Sequence, residues 1–292
     1  MIFGTLFVEA SHTISKKVLS HRLVDAISLS FVNHLGFLGI LFVQVLLFPD
    51  TFVFSMASVP TVIVRTLLEI IQAWLIIEAL SKASRSTFGF LRVLTIPLLL
   101  VADIFLLSTN ISMQQYLGIA VIILTSLWMF RHNGKDRKGM WVVLAGSLNA
   151  VITLSLYKYH IQYFNSVAGE QLVVGAGTMI GLFLIERFRY KRNPFSSLKE
   201  KIVLKEMAFL GTAAVMISYA YSFLAISVVT ALNRALAIVW SVMFGHKYFH
   251  EDHFKEKIFG VLGFVIGIVL LSIPLHNAAR DFMIILSRAL VI

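Results

Sequence analysis

The sequence contains no cysteine, and only 14% of its 292 residues are charged. The first absence excludes disulfides and thiolate metal or redox sites. The second separates the chain from soluble globular proteins, in which about 25% of residues are charged. No phosphate-cradling glycine loop is present, which argues against an ATP-driven pump. No Ser/His/Asp signature marks a membrane hydrolase, and no soluble domain fits anywhere. The opening "MIFGTLFVEASHTISKK" has no basic n-region and no A-x-A-like cleavage site. It is expected to be a membrane helix that stays.

What is there is apolar: 58% hydrophobic residues and a mean hydropathy of +0.86. That composition places the chain in the membrane class. Its net charge of +10 then belongs to loops facing the cytoplasm, not to a nucleic-acid surface. A helix needs roughly 20 apolar residues to cross the hydrocarbon core. Ten segments approach that length: 1–18, 23–48, 61–80, 86–107, 113–130, 140–158, 163–186, 207–226, 228–245 and 258–275.

Nineteen of the 25 lysines and arginines fall in or beside the odd-numbered connections between these segments. The richest are "RHNGKDRKG" (131–139) and "RFRYKRNPFSSLKEK" (187–201), whereas Lys158 alone falls in an even-numbered one. The positive-inside rule puts the odd connections in the cytoplasm and both termini outside. The halves also match. "GTLFVEASHTISKK" (4–17) aligns with "GSLNAVITLSLYKY" (146–159), and the 142-residue offset from Gly4 to Gly146 also pairs Arg92 with Arg234 and Gly118 with Gly260. Five segments per half is an odd number, so the second copy sits inverted. Inverted repeats build many secondary transporters, with the solute site near the midplane between the halves. The expected fold is an all-α integral membrane protein: ten transmembrane helices as an inverted five-plus-five repeat around a central cavity. Residues 1–130 form the first repeat, 140–275 the second and 276–292 a tail whose apolar run is too short to span.

The segment "FLAISVVTALNRALAIVWSVMFGHKYFHEDHFKEKIFGVLGFVIGIVLL" (223–271) resembles the drug/metabolite transporter superfamily. The likeness is to its EamA-like ten-helix members, built as inverted five-plus-five repeats: a short connection, a ninth helix, a polar turn and a Gly-rich tenth helix. "EALSKASRSTFGFLRVLTIPLLLVADIFLLSTNISMQQYLGIAVIIL" (78–124) repeats the pattern more loosely, with Pro97 where many relatives have a proline. Its turn "STNIS" lacks the Gly-Glu that many members carry. "VEASHTISKK" (8–17) is similar to the first helix of small multidrug-resistance exporters, where a lone carboxylate binds protons or cationic drugs; Glu9, Thr13 and Lys17 fall on the matching positions. "ALNRALAIVWSVMF" (231–244) is similar to the ninth helix of sugar-phosphate translocators, whose adjacent basic residues hold phosphate. Arg234 matches there, and Asn233 stands in place of the lysine.

Ionisable residues inside a membrane are functional candidates. Thr5, Glu9, His12 and Lys16 share one helix face at 3/4 spacing. Glu9 and His12 form either a proton- or ion-coupling face or a structural pair. Arg65 and Glu69, four apart, are expected to pair with each other, with Gln72 and Trp74 as cavity lining. Asn149, Thr153 and Tyr157 form a polar stripe, and Tyr219 and Ser222 a similar one; each either lines the site or bonds neighbouring helices. Glu170 is expected at the interface, and the resemblance implies that His34, Gln44 and Asp103 lie on helices that the superfamily usually places peripherally. His246, His250 and His253, with Glu251 and Asp252 between, lack a recognised ligand motif, and no metal is expected. Arg92 and Arg234 carry planar donor forks that match a carboxylate or phosphate. They either bind such a solute, or neutralise Glu9, Glu69 or Glu78, or snorkel to an interface.

These readings lead to a secondary transporter that moves a small organic solute, anionic or zwitterionic, by alternating access. The site expected to hold it is Arg234, Arg92, Asn233, Asn149, Thr153, Tyr219, Gln72 and Trp74, with Glu9 and His12 for coupling. The partners are the solute, membrane lipid and a coupling proton or ion. No cofactor and no nucleic acid are expected, and the location is a bacterial-type inner (plasma) membrane. The alternatives are a proton-coupled exporter of cationic or amphipathic compounds and a non-transporting scaffold. An intramembrane lipid enzyme would need a converging acid/base or nucleophilic group, and none stands out.

Overall fold

A computed structural model describes residues 1–21, 23–83, 85–108, 111–133, 139–249 and 254–272. The tail 276–292, the cluster residues His250, Glu251, Asp252 and His253, and 134–138 of the first basic connection lie outside them. Every regular element among the described residues is helical: α1 (Ile2–Ser20), α2 (Ala26–Leu47), α3 (Val59–Lys82), α4 (Arg85–Arg92), α5 (Thr95–Phe105), α6 (Met113–Asn133), α7 (Met140–Tyr163), α8 (Val167–Leu184), α9 (Lys201–Phe223), α10 (Ile226–Phe249) and α11 (Phe254–Ser272). Among the described residues, five helical segments are long and apolar enough to cross a membrane: α2, α7, α8 with the π-turn Ile185–Arg189 that extends it, α9, and α10 as far as Tyr248. These lengths and compositions are those of a membrane-embedded protein. At 24 residues α3 is as long as α7, but it carries Arg65, Glu69, Glu78 and Lys82.

Local chemistry explains where the helices start and stop. Asp25 caps α2, its carboxylate accepting from the amides of Ile27 at 3.2 Å and Ser28 at 3.1 Å. Arg192, from the basic connection before α9, holds the same carboxylate at 2.8 Å. Ser166 caps α8 through the Gly169 amide at 3.0 Å. Asp103 on α5 caps α10 from outside, accepting from the amides of Ile226 at 2.9 Å and Ser227 at 2.6 Å. Lys158 on α7 closes the end of α9, donating to the carbonyls of Tyr221 at 2.6 Å and Leu224 at 3.2 Å. Asp103 is therefore a buried corner-piece and not a peripheral residue.

One expected helix is two. The segment 86–107 breaks at Val93 and Leu94, between α4 and α5. Pro97 has no amide hydrogen to give the Val93 carbonyl, and its ring clashes with a carbonyl four residues back. The Thr95 hydroxyl instead takes the Arg92 carbonyl at 2.7 Å. A second difference is the start of α9, at Lys201 and not near 207, so that Lys201, Lys205 and Glu206 belong to the helix.

Helix α1 packs on α9 and α10, α3 on α7 and α8, α2 on α8 and α9, and α6 on α11. Glycines permit the closest crossings, as in membrane bundles generally. A Cβ on Gly211 of α9 would stand 2.9 Å from the Gly36 carbonyl carbon of α2. At the α6–α11 seam, Gly118 and Gly267 face each other's carbonyl oxygens, and a Cβ on either would come within 3.1–3.2 Å.

Candidate functional site

A cavity of about 320 Å³ lies among α1, α2, α3, α4, α7, α8, α9 and α10. That volume suits a small organic ligand. Arg92, at the end of α4, and Arg234, nine residues into α10, both reach it, with Asn233, Gln72 and Thr153. Arg234 is 7% exposed, its Nε has no hydrogen-bond partner, and among the described residues no carboxylate lies within ion-pair distance of it. Glu9 acts on it from farther away, and both arginines act on the Tyr221 hydroxyl. The Arg92 guanidinium also lies over the Phe88 ring, 4.7 Å from its centroid.

The third guanidinium in the cavity wall, that of Arg65, is paired through both Nη atoms, while its Nε has no hydrogen-bond partner. Its Nη1 donates to Glu170 Oε1 at 2.5 Å and its Nη2 to Gln171 at 3.2 Å, and Glu69 lies 3.6 Å away. Its face covers the Tyr157 ring at 4.7 Å. Glu170 is also bound by His160 Nδ1 at 2.6 Å and by the Asn165 amide at 2.6 Å. His160 Nε2 continues to Thr61 at 2.8 Å, and Asn165 donates to Ser58 at 3.0 Å. Glu170, in the first turn of α8, is fully buried in the bundle. The physical reason is partner supply: the α7–α8 turn folds the carboxylate back onto Arg65 and His160, and a buried charge must be paired. The segment before α3 seals this end of the bundle, its Ser55 amide donating to Asn165 Oδ1 at 2.8 Å. Gly169 is needed there, since any Cβ would collide with the Val53 carbonyl.

The other expected site residues are placed elsewhere. Asn149 donates to the Leu68 carbonyl at 2.9 Å and to Gln72 Oε1 at 2.8 Å, so it fastens α7 to α3 and orients Gln72. Tyr219 is held by Gln44 at the α2–α9 contact, which makes Gln44 an internal polar partner. Trp74 is 43% exposed on the outside of the bundle. Two residues on from Gln72, it points about 200° around the helix. Glu9 and His12 are buried behind the cavity wall, with His12 Nδ1 3.4 Å from Glu9 Oε1.

Sequence reasoning passed over several lining residues: Asn33, His34, Gln171, Ser218 and Tyr221. Tyr157 sits on the Asn149–Thr153 stripe, so that signal was present. Gln171 and Asn33 are isolated polar residues in apolar helices, a weaker signal. His34 was assigned to a peripheral helix, but it lines the cavity and bonds the Ser30 carbonyl at 2.9 Å. Chemically, the wall offers two donor forks, neutral amides and tyrosine rings. That set suits a small anion or zwitterion, with Arg65 already neutralised by glutamates. In comparisons with known proteins, no family model matches the chain and no curated protein matches it.

Proposed function

We propose that the protein is a secondary transporter that carries a small organic anion or zwitterion by alternating access. The observation that carries this reading is the convergence of Arg92, Arg234 and Asn233 on one central cavity. The break between α4 and α5 next to Arg92 adds support, since discontinuous helices commonly form the solute sites of such transporters.

The arrangement of helices supports two inverted five-helix repeats and ten crossings, with α4 and α5 as one. Displacing the starts of α1, α2, α3, α4 and α6 by 142 residues reaches those of α7, α8, α9, α10 and α11 within four residues. Packing follows the same rule: α1 meets α9 as α7 meets α3, and α1 meets α10 as α7 meets α4 and α5. Helices α2 and α6 each pack on their own counterparts, α8 and α11. This is the organisation that the resemblance to drug/metabolite transporters implies. In it the odd-numbered connections face the cytoplasm and the termini the other side. A reporter fused after Ile292 is expected to read non-cytoplasmic and one inserted at 187–201 cytoplasmic; a cytoplasmic C-terminus would overturn this topology.

The direct test of the function is thermal-shift screening of purified protein against matched anionic, zwitterionic and cationic metabolites. A ligand that binds only the native state stabilises it, by about 2.7 kcal/mol at a hundred times its Kd. An anion or zwitterion is expected to raise the Tm. Stabilisation by cations alone would point instead to the exporter.

A further inference from the structure

Outside the cavity lining lies a carboxyl group that no cation among the described residues reaches. Glu206, on the second turn of α9, is fully buried where α9 packs on α1 and α2. Its Oε1 accepts from Ser15 Oγ at 2.5 Å and from Asn33 Nδ2 at 2.9 Å, both neutral donors. Its Oε2 has no hydrogen-bond partner, and neither has Ser11 Oγ, one turn before Ser15, nor Asn33 Oδ1.

A buried carboxylate held only by neutral donors, with one oxygen unpartnered, is costly, and a cation or a proton removes the remaining cost. The cations on the packed elements are all directed elsewhere. On α1, His12 faces Glu9, the Lys16 ammonium donates to the Ala83 carbonyl at 3.3 Å, and Lys17 is exposed. On α2, His34 bonds the Ser30 carbonyl. Lys199, in the turn before α9, and Lys201 and Lys205 of α9 itself are exposed. From α7, Lys158 caps α9 at its far end, and His160 binds Glu170 of α8. From α10, Arg234 faces the cavity and His246 and Lys247 are exposed. The remaining acid nearby, Glu186 after α8, is on the Asp25 side of α2. Among the described residues no Lys, Arg or His lies within 4.0 Å of the Glu206 carboxylate.

We propose that Glu206 is a proton-binding site, its carboxyl held neutral by a proton on Oε2 in a cradle of Ser11, Ser15 and Asn33. An Oε2–H group turns an acceptor without a donor into a donor, and Ser11 Oγ and Asn33 Oδ1, on the two helices packed against it, are oxygens likewise left without a partner. The Oε2–H bond forms with a proton taken from water and breaks by returning it to water, with no other bond changed. Asn33 links the site to solute, because its side chain also lines the central cavity. In the transport reading, on which this role rests, proton loss leaves a buried charge that water must reach, and so loosens α9 from α1. Glu9 differs, having the His12 ring at 3.4 Å and the Arg234 charge within electrostatic reach.

The proton can be tested without any solute, by infrared difference spectroscopy of the purified protein in lipid as pH is stepped. The expected spectrum has a protonated-carboxyl carbonyl band at neutral pH that fades in alkali and is missing from Glu206→Gln. The wild-type Tm is expected to fall by several degrees through the same alkaline range, because deprotonation leaves an uncompensated buried charge. That of Glu206→Gln, neutral at every pH, should not follow. Identical carboxyl bands in wild type and Glu206→Gln overturn the proposal. Should Glu206→Gln fail to fold, Asn33→Ala keeps the carboxyl and removes one hydrogen bond, so the band must shift in frequency; an unshifted band overturns the proposal equally. Because no solute takes part, these results stand or fall separately from the transport reading.

Discussion

Replacing Arg234 with lysine is expected to weaken solute binding roughly ten- to hundred-fold while leaving the Tm nearly unchanged. Charge is kept and the planar fork is lost, and hydrogen bonds to charged groups contribute about 1.5–3 kcal/mol each. The stability side follows from the surroundings: among the described residues Arg234 makes no ion pair that lysine would break. Affinity is measured by titration with the metabolite that the thermal-shift screen selects. Unchanged affinity with a large drop in Tm would sink the binding role and make Arg234 a structural counter-charge to Glu9. Arg92→Lys should weaken binding in the same direction, since both guanidiniums reach the same cavity.

The largest loss of stability is expected at the opposite wall. Glu170→Leu should destabilise the fold by about 3 kcal/mol, because removing one member of a buried pair leaves the other charge uncompensated. Arg65 would keep Gln171 at 3.2 Å but, among the described residues, no carboxylate nearer than Glu69 at 3.6 Å, and His160 and Asn165 would each lose an acceptor. Arg65→Met alone should cost a similar amount. The double variant should recover much of the loss, since an apolar pair of similar volume often replaces a buried salt bridge without penalty. Reversible unfolding of all four proteins in mixed micelles gives the coupling energy. If the two single effects simply add, Arg65 and Glu170 do not act as a unit, and the distances between them carry no energetic weight.

Much of the helical organisation was legible along the chain. Helix α3 spans 59–82 against an expected 61–80, and α2 spans 26–47 against 23–48, because a long apolar segment shows its extent along the chain. The misses have local causes. Pro97 sits inside an apolar run, and hydropathy does not register the backbone hydrogen bond it removes, so α4 and α5 read as one. Lys201 and Lys205 made the first turns of α9 look like connection, and Glu206 was passed over with them. Both residues are exposed on a helix whose opposite side is buried.

The sequence by itself determined the membrane class, most helix positions, and the presence of arginines, glutamates and amides within apolar segments. It also set Arg92 and Arg234 142 residues apart, the offset that aligns 4–17 with 146–159, since a fixed offset can be read along one dimension. Which carboxylate each cation meets was decided only by the tertiary structure. Periodicity offered Arg65 its neighbour Glu69, four residues away, yet the closest partner is Glu170, 105 residues distant. Arg234 looked equally ready to be neutralised, and it faces a cavity instead. Glu206, unremarkable in the chain, is closed in by serines and an asparagine. The reason is that pairing between helices depends on how each is rotated and where they cross. Those are set by glycine contacts and side-chain packing among segments far apart in the chain, and no local pattern records them.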